Sequence, residues 1–347
     1  MSFYMELAKA ASTLVNEVLL IRKGEDVLIW GDTACDEAVV KATASAVLVA
    51  GATPTIVMFQ TKANPMEEPP KPLAAAMMNA DVTIEYAMQY LLYTKAQVEA
   101  LNKRNRAYIC LTGCDTEGMV RAIGMVNYKK MIQLGDELAE MTGKADEIRI
   151  TSPAGTDFTG KIGGRPVENY GSTADKRKYI MLGGQTGWAC VEETQKGTLA
   201  FDGNMWPPDE IKANIRTPIK LQVAKGIIKE ISGGVEANIL KRWMASFNDS
   251  NMYRVAHICY GYNPGSRITG NIAEVERVFG VIQVGWGTQG PLIRPDLGGK
   301  PGWRAAAHCD GIMLNPTVYL DGEIVEKDGK YVHPKLAQIV KEMGIVQ

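Results

Sequence analysis

The chain contains three histidines, and two of them lie in glycine-rich segments, AHICYGYNPG and AAAHCDGI. His308 and Asp310 are two residues apart. On an extended strand such residues project from the same face. One imidazole and one carboxylate therefore emerge side by side, while Cys309 points the other way, into the core. Gly311 then allows the backbone to turn. His257 offers a third ligand from a distant strand, and the YGYNPG that follows it is turn-rich, as in a loop passing close to a site. Two neutral imidazoles and one carboxylate suit a borderline divalent ion. The set matches the facial triad of non-haem iron(II), which leaves coordination positions open. It equally fits catalytic zinc with three protein ligands and a water. A buried His–Asp hydrogen bond is the plain alternative for the H-x-D pair. The third histidine, His333 in KYVHP, reads as surface.

These side chains need elements to position them. Leu7, Ala11, Leu14, Val15, Val18 and Ile21 recur at helical spacing, with Gly24 where a C-terminal cap belongs. Val27 to Trp30 is a short buried strand. Asp32 or Thr33 can cap the next helix, which runs through Val40, Ala44 and Val47 to Gly51. Residues 55–59 form the next strand, and the Pro-rich NPMEEPPKP a loop. Residues 81–86 and 108–112 read as strands, residues 95–103 and about 127–141 as helices. Alternating strands and helices predict an α/β domain with a mostly parallel sheet over residues 1–145. From Ile148 glycine becomes frequent and short β-rich runs alternate with turns, interrupted by one clear helix, 236–247. Residues 146–347 are therefore expected to form an α+β, metal-binding catalytic domain.

Composition excludes several classes. The chain has 347 residues, 46 % hydrophobic and 22 % charged, with a formal net charge of -1. That is the composition of a folded globular protein, and no basic excess suggests nucleic acid. No G-x-G-x-x-G or P-loop follows the first strand, so a nucleotide cofactor has no support. No apolar run approaches the roughly 18 residues that span a bilayer, and the N-terminus lacks the basic and apolar regions of a signal peptide. Six cysteines without a C-x-x-C read as reduced thiols of a cytoplasmic protein.

The segments GTLAFDG, PIKLQVAKGIIKEISGGVEANIL, AHICYGYNP, GWGTQG and HCDGIML resemble the C-terminal domain of the aminopeptidase T (M29) metallopeptidase superfamily, over about residues 148–320. Within it, GGVEANILKRWMASFNDSNMYRVAHICYG is most similar to the 2,5-dihydroxypyridine 5,6-dioxygenase branch, whose members use iron(II). The peptidase branch binds a metal pair with further glutamates and a histidine. Its first glutamate falls at Gln185, its next at His257 and its histidine at Gln283, while His308 and Asp310 are kept. The resemblance therefore implies one ion, Fe(II), held by His257, His308 and Asp310. It also shows departures. A serine beside the metal in the dioxygenases falls at Gly285, a proton-handling histidine at Tyr93, and another substrate histidine near Ile180.

The resemblance implies ring-cleaving dioxygenation of a hydroxylated N-heteroaromatic, with dioxygen as co-substrate, in a homodimer or larger homo-oligomer. Tyr93, Gln185 and Gln283 are the candidate catalytic groups. Gln185 and Gln283 can each donate and accept hydrogen bonds, whereas an unperturbed tyrosine, with a pKa about 10, is a poor base at neutral pH. Trp286 and Trp188 could stack on a flat ring, and Arg294 and Arg304 could pair with a substrate carboxylate. The alternative is a zinc- or manganese-dependent amide or peptide hydrolase of the aminopeptidase T type. It would need a carboxylate base, for which Glu192, Glu193, Glu274 and Glu276 are available.

Overall fold

The computed structural model describes residues 3–347 except 93, 176–178, 213–214, 292 and 299. These residues pack as two compact units, Met1–Ile132 with Tyr170–Gly183, and Gln133–Asn169 with Gly184–Gln347.

The first unit is built on five parallel strands in the order Thr53–Phe59, Asp26–Asp32, Val82–Glu85, Ala107–Cys110 and Tyr179–Met181. The inner strands are mostly apolar and, apart from Asp26 at one end, buried, as a sheet covered on both faces requires. Helix Glu37–Val49 follows the first strand. Its cap is Asp36, whose side chain accepts Ala38 N–H at 2.9 Å, and not Asp32 or Thr33. Asp32 is instead buried at the strand end, where its oxygens accept the N–H groups of Ala34 at 3.1 Å and Met88 at 3.0 Å. The first helix, Tyr4–Thr13, continues as a π-helical turn, Leu14–Val18. A single cut at 145 assigns Tyr170–Gly183 to the second half. In the fold, strand Tyr179–Met181 pairs with Ala107–Cys110 as the fifth strand of the first sheet.

The second unit holds two antiparallel sheets. One has eight strands, from Ile227–Ser232 at one edge to Lys330–Tyr331 at the other. Strand Ile219–Ala224 shows why it forms: IKLQVA alternates buried and exposed residues, so one face is apolar and the other wet. The other sheet has six strands, in the order Met205–Trp206, Trp303–Leu314, Val281–Gln289, Val255–Gly261, Gln185–Trp188 and Val167–Asn169. Phe201 from the larger sheet stacks on Trp286 of the smaller, with ring centroids 5.6 Å apart. Strand Trp303–Leu314 does not turn at Gly311. It runs on to Leu314, and a Cβ at Gly311 would lie 2.7 Å from the Phe201 ring. Gly311 thus lets the aromatic of one sheet reach the backbone of the other.

Candidate metal centre

The six-stranded sheet brings the three ligand candidates into one row. His257 pairs with Gly285 across one strand boundary, and Gly285 pairs with Asp310 across the next. Paired residues on neighbouring strands project from the same face, so His257 and Asp310 flank Gly285. His308, two residues before Asp310, shares that face. One ligand atom from each of His257, His308 and Asp310 lies within 4.8 Å of the others. Nε2 of His308 is 3.1 Å from Oδ1 of Asp310, and Nε2 of His257 is 3.5 Å from the same oxygen. The two imidazoles are stacked, with centroids 5.1 Å apart and planes 11° from parallel.

Gly285 makes this row possible. A Cβ there would lie 2.2 Å from Cε1 of His257 and 2.8 Å from Oδ1 of Asp310. The central strand therefore carries no side chain where its neighbours' side chains meet.

The surroundings set the chemistry of each donor. Nδ1 of His308 lies 2.7 Å from the Thr288 carbonyl. An oxygen acceptor there fixes the proton on Nδ1 and leaves the Nε2 lone pair for a metal, as is usual for metal-binding histidines. Burial, reinforced by His308, lowers the His257 pKa to about 4, so its ring is neutral near pH 7. Burial alone would raise the Asp310 pKa, but His308, His257 and Gln283 together outweigh it and the carboxyl is held below its usual range. For His308, burial opposes the charged form, yet the Asp310 carboxylate leaves the net shift upward. Once a cation replaces the proton between His308 Nε2 and Asp310, two neutral imidazoles and a carboxylate suit a divalent ion of borderline softness.

Both glutamines predicted for the pocket lie beside the row. Gln283, two residues before Gly285 on the central strand, has its Nε2 2.9 Å from Nε2 of His257 and within hydrogen-bond reach of Oδ1 of Asp310. Gln185 Nε2 donates to Oε2 of Glu276 at 3.1 Å and faces Oε1 of Gln283 at 3.5 Å. Glu276 is held by Arg277, whose Nη1 is 3.0 Å away, and burial followed by repulsion from Asp310 raises its pKa to about 7. The sequence offered Glu276 only as one of four carboxylates. Its place beside the two glutamines follows the short helix Ile272–Val275, and no local motif marks it.

The remaining candidates fall elsewhere. Trp286 and Trp188 are fully buried. Trp286 follows Gly285 directly, so it projects from the opposite face, onto Phe201. Trp188 packs on Tyr260, with centroids 4.8 Å apart. Both are core residues and not stacking platforms, because one step along a strand reverses the face. Arg294 makes paired contacts with Asp296, at 2.8 Å and 2.7 Å, and lies 3.6 Å from Glu192. Its charge is thus directed at carboxylates of this chain. Arg304 is exposed on the strand that carries His308. His333 is not plain surface: its side chain is 17 % exposed and its Nε2 lies 3.6 Å from Glu323. Ile180 is buried in the fifth strand of the first unit. Tyr93 lies outside the described residues.

The fold, a parallel α/β sheet in one unit and antiparallel sheets in the other, is similar to that of aminopeptidase T-like structures. The wild-type AmpT structure from Thermus thermophilus superposes with a TM-score of 0.66 at 14 % identity, covering 96 % of this chain and 100 % of that one. The structure of the 2,5-dihydroxypyridine dioxygenase from Pseudomonas putida superposes with a TM-score of 0.77 at 21 % identity, covering 97 % and 99 %. The family model of 2,5-dihydroxypyridine 5,6-dioxygenase matches residues 13–333. A Pseudomonas putida protein of the same name is 26 % identical over 274 residues, 75 % of this chain and 73 % of the relative. The chain belongs to the 2,5-dihydroxypyridine 5,6-dioxygenase family, a family of ring-cleaving oxidoreductases.

Proposed function

We propose that this protein opens the ring of 2,5-dihydroxypyridine, or of a close hydroxylated N-heteroaromatic relative, by dioxygenation at one iron(II). The observation that carries the reading is the convergence of His257, His308 and Asp310 within 4.8 Å on one sheet face. Two imidazoles and one carboxylate form the ligand set that leaves positions open for substrate and dioxygen in non-haem iron oxygenases. When bound, the iron would supply the redox chemistry that dioxygen requires.

The chain's own residues do the rest. Asp310, held ionised, and neutral His257 keep the ligand set at a single negative charge, which favours a divalent cation. The Thr288 carbonyl holds His308 in the tautomer that offers Nε2. Gln283 and Gln185 present amide groups beside the ligands, where a ring hydroxyl or carbonyl can exchange hydrogen bonds with them. His257 and Asp310 are 8 % and 7 % exposed, so the site's charges act in a medium poor in water. A cytoplasmic setting fits the six free cysteines, and among the described residues no helix is long and apolar enough to cross a membrane.

The test is oxygen uptake by anaerobically Fe(II)-loaded protein given 2,5-dihydroxypyridine. One dioxygen consumed per ring lost supports the reading. Turnover of a peptide or amide at an unchanged rate without oxygen would support the zinc or manganese hydrolase instead.

A further inference from the structure

We propose that Glu276 is a positioning residue for the metal centre, acting through Gln185 and Gln283 to fix which end of the Gln283 amide faces the ligands. The inference rests on the metal-centre reading above and extends it to three residues outside the ligand set.

Hydrogen-bond polarity sets the orientation of both amides. Oε2 of Glu276 receives Arg277 Nη1 at 3.0 Å, and an oxygen facing a guanidinium N–H accepts whichever protonation state its carboxyl has. Glu276 is kept in place by Arg277, which is fully buried and also donates through Nη1 to the Ala273 carbonyl at 2.5 Å. The Gln185 atom 3.1 Å from Glu276 must then be the NH2 group. That nitrogen has a second hydrogen, and the Gln283 atom it faces at 3.5 Å must accept it, so it is the carbonyl oxygen. Gln283 is left with its NH2 turned towards Asp310 and His257. Asp310 at the far end demands the same orientation, because it too accepts only. Two carboxylates therefore bracket two amides, and a single polarity satisfies all four groups.

The consequence concerns the ligands. With its NH2 inward, Gln283 donates to Asp310 and spreads that carboxylate's charge, as outer partners of metal ligands do. With its carbonyl inward, it would oppose the Asp310 oxygen. Neither amide can choose by itself, since its two ends have nearly the same shape. Glu276→Gln keeps the size of the side chain and removes one of the two carboxylates, so the amides are oriented from the Asp310 end alone.

The experiment is a double-mutant cycle read as Co(II) affinity by calorimetry on the full chain, with no substrate present. Wild type, Glu276→Gln, Gln283→Leu and the double variant form one cycle. Glu276→Gln, Gln185→Leu and their double variant form a second, which keeps the test usable if one variant fails to fold. Glu276→Gln is expected to weaken Co(II) binding about tenfold, the range seen when outer partners of metal ligands are removed. In the Gln283→Leu or Gln185→Leu background the same change should have no further effect, because the connection is already cut. Thermal melts of the metal-free variants give the contribution of packing alone. Additive effects in either cycle, or wild-type affinity in Glu276→Gln, would overturn the proposal. Oxygen uptake with 2,5-dihydroxypyridine is measured separately on wild type, so either reading can fail while the other stands.

Discussion

Replacing Gly285 by alanine puts a methyl group where the site has least room. The added Cβ would lie 2.2 Å from Cε1 of His257, 2.7 Å from its Nδ1 and 2.8 Å from Oδ1 of Asp310. Carbon atoms in contact rest about 3.5–4.0 Å apart, so the imidazole has to retreat by roughly an ångström. It is 8 % exposed and stacked on His308, with Gln283 against its Nε2. A metal ligand tolerates displacements of only about 0.2 Å. His257 then ceases to ligate at normal distance. Removing mere supporting partners already weakens metal binding by about 10- to 100-fold, so a displaced ligand should reach at least the top of that range. In free energy that is about 2.7 kcal/mol. Overpacking adds a fold-stability loss of about 1–3 kcal/mol. The assay is calorimetric titration of wild type and Gly285→Ala with Co(II), with melts of the metal-free proteins to show that both are folded at the titration temperature. A folded Gly285→Ala variant that binds Co(II) within about threefold of wild type would show that His257 keeps its place without the glycine.

Trp286 provides a contrasting test. Trp286→Leu should destabilise the fold by about 2–4 kcal/mol as a core truncation, read by chemical denaturation. The KM for the ring substrate should stay unchanged, because the indole lies on the opposite face of the sheet; a large rise in KM with little loss of stability would contradict the placement. In the first unit, burial raises the Glu85 pKa to about 7, although the carboxyl accepts the Tyr108 hydroxyl and, at 2.6 Å, Leu91 N–H. A carboxyl whose folded pKa lies above its unfolded value near 4.5 contributes stability that is full below pH 4.5 and lost as pH rises towards 7. The loss is about 3 kcal/mol over that window. Glu85→Gln should flatten that decline in denaturation curves taken at pH 5 and pH 7, and an unaltered pH dependence would count against it.

Much of the site was legible because strand periodicity is a local rule. His308 and Asp310 share a face and Cys309 is turned into the core, as the two-residue period dictates. The same rule, carried across the sheet, would have removed Trp286 from the pocket: it is next to Gly285, and Gly285 is the residue paired with both His257 and Asp310. That pairing was not readable, since register between strands whose paired residues lie 28 and 25 positions apart is set by tertiary packing. The parallel sheet of the first unit follows from its alternating strands and helices. Its fifth strand, Tyr179–Met181, does not, because it arrives after a long excursion and no nearby residue announces its partner. Asp36 displaced Asp32 as a helix cap for a related reason: Asp32 is drawn into the strand end by the N–H groups of Met88 and Gln89. Glu276 stood among several glutamates of equal standing until folding set it beside Gln185.

Iron content of the freshly loaded protein shows whether His257, His308 and Asp310 hold the metal. Wild type, His257→Ala, His308→Ala and Asp310→Ala would be loaded anaerobically with Fe(II), freed of excess metal and analysed for iron per chain. Wild type should hold one iron per chain and each folded variant almost none. Iron retained at the wild-type level in any of the three would contradict that assignment.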